Sequence, residues 1–510
     1  MVRIDTESDI EQLRRVARLL DAENQRLHKR LVELVRALQT AQGQDSVQLE
    51  LELSRLQDQL SRINQDIYGA SSEKRGSGDG EKTPKEEKPG KGHGPTEQPQ
   101  LPAIEVIHKL DPADEVCPKC GDHLEEWEGQ FESAEEIDVI ERSFRIVRHQ
   151  RQKSRCECGH IETALGPPKL IPGGRYSVDF SVAVAVDKFG YHMPLSRQEK
   201  QMRSQGLLVS SQALWDQIFA LARHLEPSYE ALREHVLAAP VIGVDETTWR
   251  LMEKKSSKKW WVWTICRQDA VFHAIHPHRS TEAARATLDG FTGDTIVVDG
   301  YYAYTSLLKS YAERGLSPPF QIAACWVHAR RGFHKAAPDY PMANEALDLI
   351  GKLYEIESRV AEIEGDLRLE RLAELRRTES APVVAQLKTW LHTTVARKGS
   401  SLGLAISYML ERWTAFEVFL GRPDVPIDNL QTERMIRPIA VGRKNHYGSR
   451  SQRGTFVAAL FYTLIESAEL AGVDPGQYLK EAALRAIADP GAVTLPRSIA
   501  ATADADQAAA

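Results

Sequence analysis

The stretch VIGVDETTW, residues 241–249, restricts the fold of this chain more than any other. A β-branched run after Pro240 reads as a buried strand, and it carries Asp245 and Glu246 into a setting where an unpartnered carboxylate is costly. An acid placed there needs a partner, and a metal ion is one. The pattern returns at 295–299, where TIVVD is again an apolar run ending in an aspartate, Asp299. The alternative is that the first strand stops at Gly243 and both acids are solvated. Adjacent strand residues face opposite ways, so Glu246 is the alternative ligand to Asp245 and only one of them enters a common site.

Two more alternating stretches, WWVWTICRQ and AVFHAIHP, follow the first strand. A helix in STEAARATLDGF, the TIVVD strand, a helix near TSLLKSYAERG and a strand in FQIAACWVHARRGF come next. Three antiparallel strands, helix, strand, helix, strand predicts a mixed sheet covered by helices, the order of RNase H-like folds. In that order the first and fourth strands are neighbours, so Asp245 and Asp299 meet. The candidate third acid is in VPIDNLQTERMIRPIAVGRKNHYGSRSQRG: Asp428 and Asn429 read as a helix N-cap, and Glu433 falls one turn in. Arg434, Arg437, Arg443, Lys444, Arg450 and Arg453 follow with no further acid. A basic tract beside carboxylates suits a polyanion held over bound Mg²⁺, whereas a surface ion pair on a solvated helix is the plainer explanation.

At 510 residues the chain needs several domains. Ile10, Leu13, Ala17, Leu20, Asn24, Leu27, Leu31, Leu34 and Leu38 alternate steps of three and four, the seam of a coiled coil, and a second seam runs from Leu49 to Ile67. Residues 70–103 are rich in Lys, Glu, Gly and Pro and read as a linker. Four of the six cysteines form two close pairs, Cys117 with Cys120 and Cys156 with Cys158. Such pairs fit tetrahedral Zn²⁺, with His160 able to replace one thiolate, and FRIVRHQRQKSRCE between them reads as a strand. Residues 171–238 read as helices, with Gly206 and a Ser210 or Ser211 cap forming a helix-turn-helix pattern. The formal net charge of −7 hides these local basic tracts. No membrane span or signal peptide is evident, so a cytoplasmic, nucleoid-associated protein is expected.

IYGASSEKR, YHMPLSRQE, VDETTW, VDGYYAY, CWVHARRGF and PIDNLQTERMIRPIAVGRKN with LIESAELAGVDPGQYL resemble the transposases of the insertion sequence 66 family. The resemblance implies an α/β multidomain protein whose RNase H-like catalytic core carries a helical insertion and follows a coiled coil, a zinc-binding module and a helical region. The expected division of the chain is a coil (1–69), linker (70–103), zinc module (104–170), helices that are candidates for DNA binding (171–238), core (239–450, insertion about 340–421), C-terminal helices (451–490) and a disordered tail (491–510). The resemblance implies DNA transposition, with Asp245, Asp299 and Glu433 holding two Mg²⁺ and a structural Zn²⁺ on Cys117, Cys120, Cys156 and Cys158. Arg434, Arg437, Arg443, Lys444, Arg330 and Arg331 are then the DNA contacts. The expected partners are transposon ends, target DNA, a second copy through the coil and small accessory proteins. Cys325 and His328 match a CxxH signature of related transposases. Asn429 is followed by Leu430 where the family commonly has Asn-Asn, and the second cysteine pair is CxC rather than CxxC. Rival functions are a zinc-containing DNA-binding protein that no longer cuts, and an RNase H-like nuclease without strand transfer.

Overall fold

A computed structural model of the chain describes residues 143–500 apart from 156–159, 254, 255 and 364, together with Lys119. The expected coil and linker and the four paired cysteines lie outside the described residues. A short hairpin, β1 (Lys153–Arg155) and β2 (Ile161–Thr163), flanks the second pair. The strand expected over 144–157 is thus confined to its end: Ile146 and Val147 are exposed, and no strand pairs with them among the described residues. His160 is exposed, its Nε2 3.3 Å from Glu162 Oε2.

Three helices follow: α1 (Val178–Phe189), α2 (Leu195–Ser204) and α3 (Ser211–Leu237). Ser177 and Ser210 cap α1 and α3 by accepting the N–H groups of Phe180 and Ala213. Gly206, at φ +83°, supplies the left-handed turn after α2. Ser211 is not the cap; its hydroxyl donates to Glu199 Oε2 at 2.5 Å and ties α3 to α2.

The sheet has the order β5-β4-β3-β6-β7. Its strands are β3 (Val241–Glu253), β4 (Ser256–Arg267), β5 (Ala270–His276), β6 (Thr295–Val298) and β7 (Gln321–Ala324). β3 to β5 are antiparallel, and β3, β6 and β7 run parallel. The connections are α4 (Thr281–Leu288) between β5 and β6 and α5 (Tyr302–Ala312) between β6 and β7. β3 does not stop at Gly243 but runs on to Glu253, 13 residues in all, so Asp245 is inside the strand.

After β7 the chain enters α6 (Trp326–Ala336), then α7 (Ala343–Ser358), α8 (Gly365–Leu375), α9 (Ala381–Thr393), α10 (Ser401–Leu410) and α11 (Trp413–Gly421). The region expected to be a helical insertion, about 340–421, contains α7 to α11. It has its own apolar core, in which Leu349, Leu387, Met409 and Phe416 join Phe333 and Trp326. Arg376, 1% exposed, holds it together: Nε and Nη2 bond Glu357, and Nη1 donates to the carbonyls of Phe419, Arg422 and Val425. The two cores meet on β6, whose Ile296 and Val298 belong to the sheet's core and whose Val297 belongs to the insertion's.

The chain ends in α12 (Leu430–His446), α13 (Gln452–Leu470) and α14 (Pro475–Ala488). The boundaries expected at 238 and 450 do not fall at breaks in the core. Leu221 of α3, Val262 and Phe272 of the sheet and Leu460 and Leu464 of α13 are buried in one cluster. α13 also bonds to the edge strand: Thr463 Oγ1 accepts His273 N–H at 2.9 Å, and Ser467 Oγ accepts Val271 N–H at 3.1 Å. That covers a sheet edge otherwise open to pairing. The tail expected to be disordered from 491 is packed as far as residue 500: Thr494 is buried, its N–H on Ser228 Oγ and its carbonyl accepting the Tyr478 hydroxyl, and Ile499 is buried. Among the described residues no single helix is long and apolar enough to cross a membrane.

A carboxylate cluster on the central strand

Asp245 lies on β3 opposite Thr264 of β4. The alternation of the strand turns Gly243 and Asp245 towards α12, while Glu246 points to the other face. Asp299 immediately follows β6, the parallel neighbour of β3. Its Oδ1 accepts the Tyr301 N–H at 2.9 Å, and its carbonyl accepts the Tyr408 hydroxyl of α10 at 2.5 Å. The insertion therefore reaches back to brace this turn.

Glu433 is in the first turn of α12, and α12 can approach β3 because residue 243 is glycine. A Cβ there would lie 2.0 Å from Thr432 Oγ1 and 2.4 Å from Asn429 Oδ1. Asn429, read from sequence as part of an N-cap, does not cap with its side chain. Its Nδ2 donates to the Val244 carbonyl at 2.9 Å and its Oδ1 accepts the Thr432 hydroxyl at 2.6 Å; Asp428 Oδ1 takes the Leu430 N–H at 3.0 Å instead. Sequence reasoning missed this tether, although a glycine inside a β-branched run is a sign of close backbone approach.

Asp299 and Glu433 both act on Asp245. Burial is the largest cause that pushes the Asp245 carboxyl up to about 8, followed by the charges of Asp299, Glu246 and Glu433. The Glu246 N–H, 2.7 Å from Asp245 Oδ1, only partly offsets this. Glu433 Oε1 is buried without a hydrogen-bond partner among the described residues. Around Glu433 stand His328 Nδ1, 3.6 Å from Oε1, and Arg331 Nη2, 3.7 Å from Oε2. A set of oxygen donors with excess negative charge and an unpartnered buried oxygen fits a hard divalent cation such as Mg²⁺.

Glu246 is excluded from this cluster by its partners. Its side chain is fully buried, with Oε1 accepting Arg279 Nε at 2.8 Å and Oε2 accepting the Tyr304 hydroxyl at 2.7 Å. Arg279 in turn stacks on Tyr301, 3.7 Å from the ring centroid.

Of the basic residues, Arg434, Arg437 and Lys444 are exposed at spacings that line one side of α12, and Arg450 and Arg453 are exposed beyond it. Arg443 differs from the expectation of a DNA contact. It is half-buried, and its Nη1 donates to Thr247 Oγ1 at 2.9 Å, to Thr248 Oγ1 at 2.7 Å and to the Thr248 carbonyl, fastening α12 to β3. Arg331 faces the cluster, whereas the half-buried Arg330 lies where its charge acts on Tyr354.

Residues 173–456 match the family described as "Transposase IS66 family", and residues 114–159 match "zinc-finger binding domain of transposase IS66". Three proteins of Sinorhizobium fredii (strain NBRC 101917 / NGR234) are similar to the chain. Uncharacterized protein y4qI is 31% identical over 367 residues, 69% of this chain and 67% of its own length. Uncharacterized protein y4jD is 29% identical over 398 residues, 75% of this chain and 76% of its own. Uncharacterized protein y4hP is 29% identical over 381 residues, 70% of this chain and 67% of its own. With more than half of its length matched, and with a zinc-finger match ahead of a mixed α/β domain, the chain belongs to the IS66 family of transposases.

Proposed function

We propose that the protein cuts DNA at the ends of a mobile element and joins the freed 3′ ends to target DNA, with Asp245, Asp299 and Glu433 as the acids that hold its catalytic cations. The observation that carries this reading is their convergence from three places: within β3, directly after β6 and in the first turn of α12. The sheet order, with β3 central and parallel to β6, is the one expected of an RNase H-like core and supports the same reading. Asp245, Asp299 and Glu433 would hold two Mg²⁺ ions, and the chemistry supplied there would be activation of the attacking oxygen and stabilisation of the leaving 3′ oxygen. Asp245 is on β3 and Asp299 directly follows the adjacent β6, so the sheet brings them side by side. Glu433 is set by the docking of α12 through Asn429. Arg434, Arg437 and Lys444 hold the phosphate backbone along the exposed side of α12, and Arg331 adds a positive charge beside Glu433. No Ser or Tyr nucleophile is needed, because water and then the freed 3′-OH attack directly.

In this reading Cys117, Cys120, Cys156 and Cys158 bind the structural Zn²⁺ of the zinc-finger module, and the N-terminal coil pairs two copies so that two DNA ends are held together. Small accessory proteins act alongside. The test is a cleavage and joining assay with labelled transposon ends, a target plasmid and Mg²⁺. Asp245→Asn, Asp299→Asn and Glu433→Gln should each lose cleavage and joining by about 10²–10³-fold or more, while end binding stays near that of the parent. Normal joining by any one variant removes that residue from the catalytic set.

A further inference from the structure

The CxxH pair, Cys325 and His328, lies where the three acids are tied together. The backbone N–H of Cys325 donates to the carbonyl of Val298, the residue before Asp299, at 3.0 Å. Its Sγ accepts the backbone N–H of Asn429 at 3.3 Å. Asn429 Nδ2 in turn bonds the carbonyl of Val244, the residue before Asp245, at 2.9 Å. A continuous path of three hydrogen bonds thus joins the backbone just ahead of Asp245, the start of the helix that carries Glu433, and the backbone just ahead of Asp299.

His328 is one turn into α6, on the side that faces Glu433. Its Nε2 lies 3.3 Å from Arg331 Nη1. A guanidinium only donates, so Nε2 must carry the lone pair and Nδ1 the proton of a neutral ring. The Nδ1–H therefore faces Glu433 Oε1 across 3.6 Å, longer than a hydrogen bond, and neither atom has another hydrogen-bond partner among the described residues. Contacts of this kind are often long in the empty site and tighten when it is filled.

We infer that Cys325 and His328 position the third acid: Cys325 fixes the backbone at the start of α12, and the His328 Nδ1–H, its tautomer set by Arg331, orients the Glu433 carboxylate for cation binding. The inference rests on Glu433 being a cation ligand, and the experiment separates the two claims. Mn²⁺ binding to the zinc-loaded full chain is followed by titration calorimetry or by the Mn²⁺ electron paramagnetic resonance signal, with no DNA and no turnover. His328→Ala should weaken Mn²⁺ binding about tenfold or more, the scale for loss of a group that orients a metal ligand. His328→Asn, whose amide nitrogen can occupy the place of Nδ1, should recover most of it, and His328→Gln, whose amide reaches the place of Nε2, should not. Thermal unfolding of all three variants accompanies the titrations, so that a variant that fails to fold is not scored and the Asn–Gln contrast decides. Parental Mn²⁺ affinity in His328→Ala, or equal loss in the Asn and Gln variants, overturns the inference. If Glu433→Gln also binds Mn²⁺ as the parent does, the reading of Glu433 as a ligand falls first.

Discussion

Asp245 and Glu246 are adjacent on one strand, and the two faces they enter are opposites. Glu246 enters a closed face where Arg279 and the Tyr304 hydroxyl meet both of its oxygens. Asp245 enters a face with no basic partner for it among the described residues, where burial first and then the charges of neighbouring acids push its carboxyl up to about 8. A buried carboxylate that is fully satisfied is part of the framework; one left among like charges marks a place prepared for something else. Stability and chemistry should separate along this line.

The largest effect should come from opening the closed face. Glu246→Ala leaves the Arg279 guanidinium and the Tyr304 hydroxyl without their acceptor and should cost about 3 kcal/mol in chemical denaturation, near the lower end for a broken buried pair because Arg279 is partly exposed. A loss below about 1 kcal/mol would mean that the two faces are energetically alike.

An effect of comparable size and opposite sign is expected at Asp245. Its folded pKa lies above the unfolded value of 3.8, so the cation-free fold takes up a proton there. That contribution is fully present below about pH 4 and is lost as pH rises towards 8. Without added Mg²⁺, Asp245→Asn should equal the parent in stability near pH 4 and exceed it by a few kcal/mol near pH 8. Denaturation midpoints that run parallel across this range would remove the like-charge argument.

The smallest effects should divide Arg443 from Lys444. Arg443→Ala gives up its bonds to Thr247 and Thr248 and should cost about 1–2 kcal/mol. Lys444→Ala should change stability by less than about 0.5 kcal/mol, yet make the salt dependence of DNA binding shallower by about one unit of slope. If both variants shift only the slope, Arg443 is a phosphate contact after all.

Much of the sheet was legible in the chain because the signals are local. VIGVD and TIVVD are β-branched runs, WWVWTICRQ alternates, and the connecting helices have polar faces, with Ser280 capping the first of them. What was not legible depends on contacts between distant residues. Asn429 read as a cap because Asx residues favour that position, but its amide goes to a strand carbonyl 185 residues away. Arg443 read as a DNA contact because a run of positive charge does not say which member turns inward. The segment FVAALFYTLIESAEL of α13 did carry a usable signal: a helix apolar on nearly all sides belongs inside a core, not in a small separate domain. The tail failed for the same reason as the others, since a short polar and apolar mixture does not disclose that Thr494 meets Ser228.

The meeting of the two cores on β6 bears on what an insertion is. Consecutive side chains of this strand look into different interiors, and the strand ends at Val298, just before Asp299. Excising residues 343–421 would therefore strip the lining from Val297, Ala323 and Trp326 and remove Tyr408 from the carbonyl of Asp299. The interruption exists only along the covalent chain. In space the inserted helices form one wall of the chamber that aims an aspartate, so a shortened protein would lose its alignment there before it lost any acid.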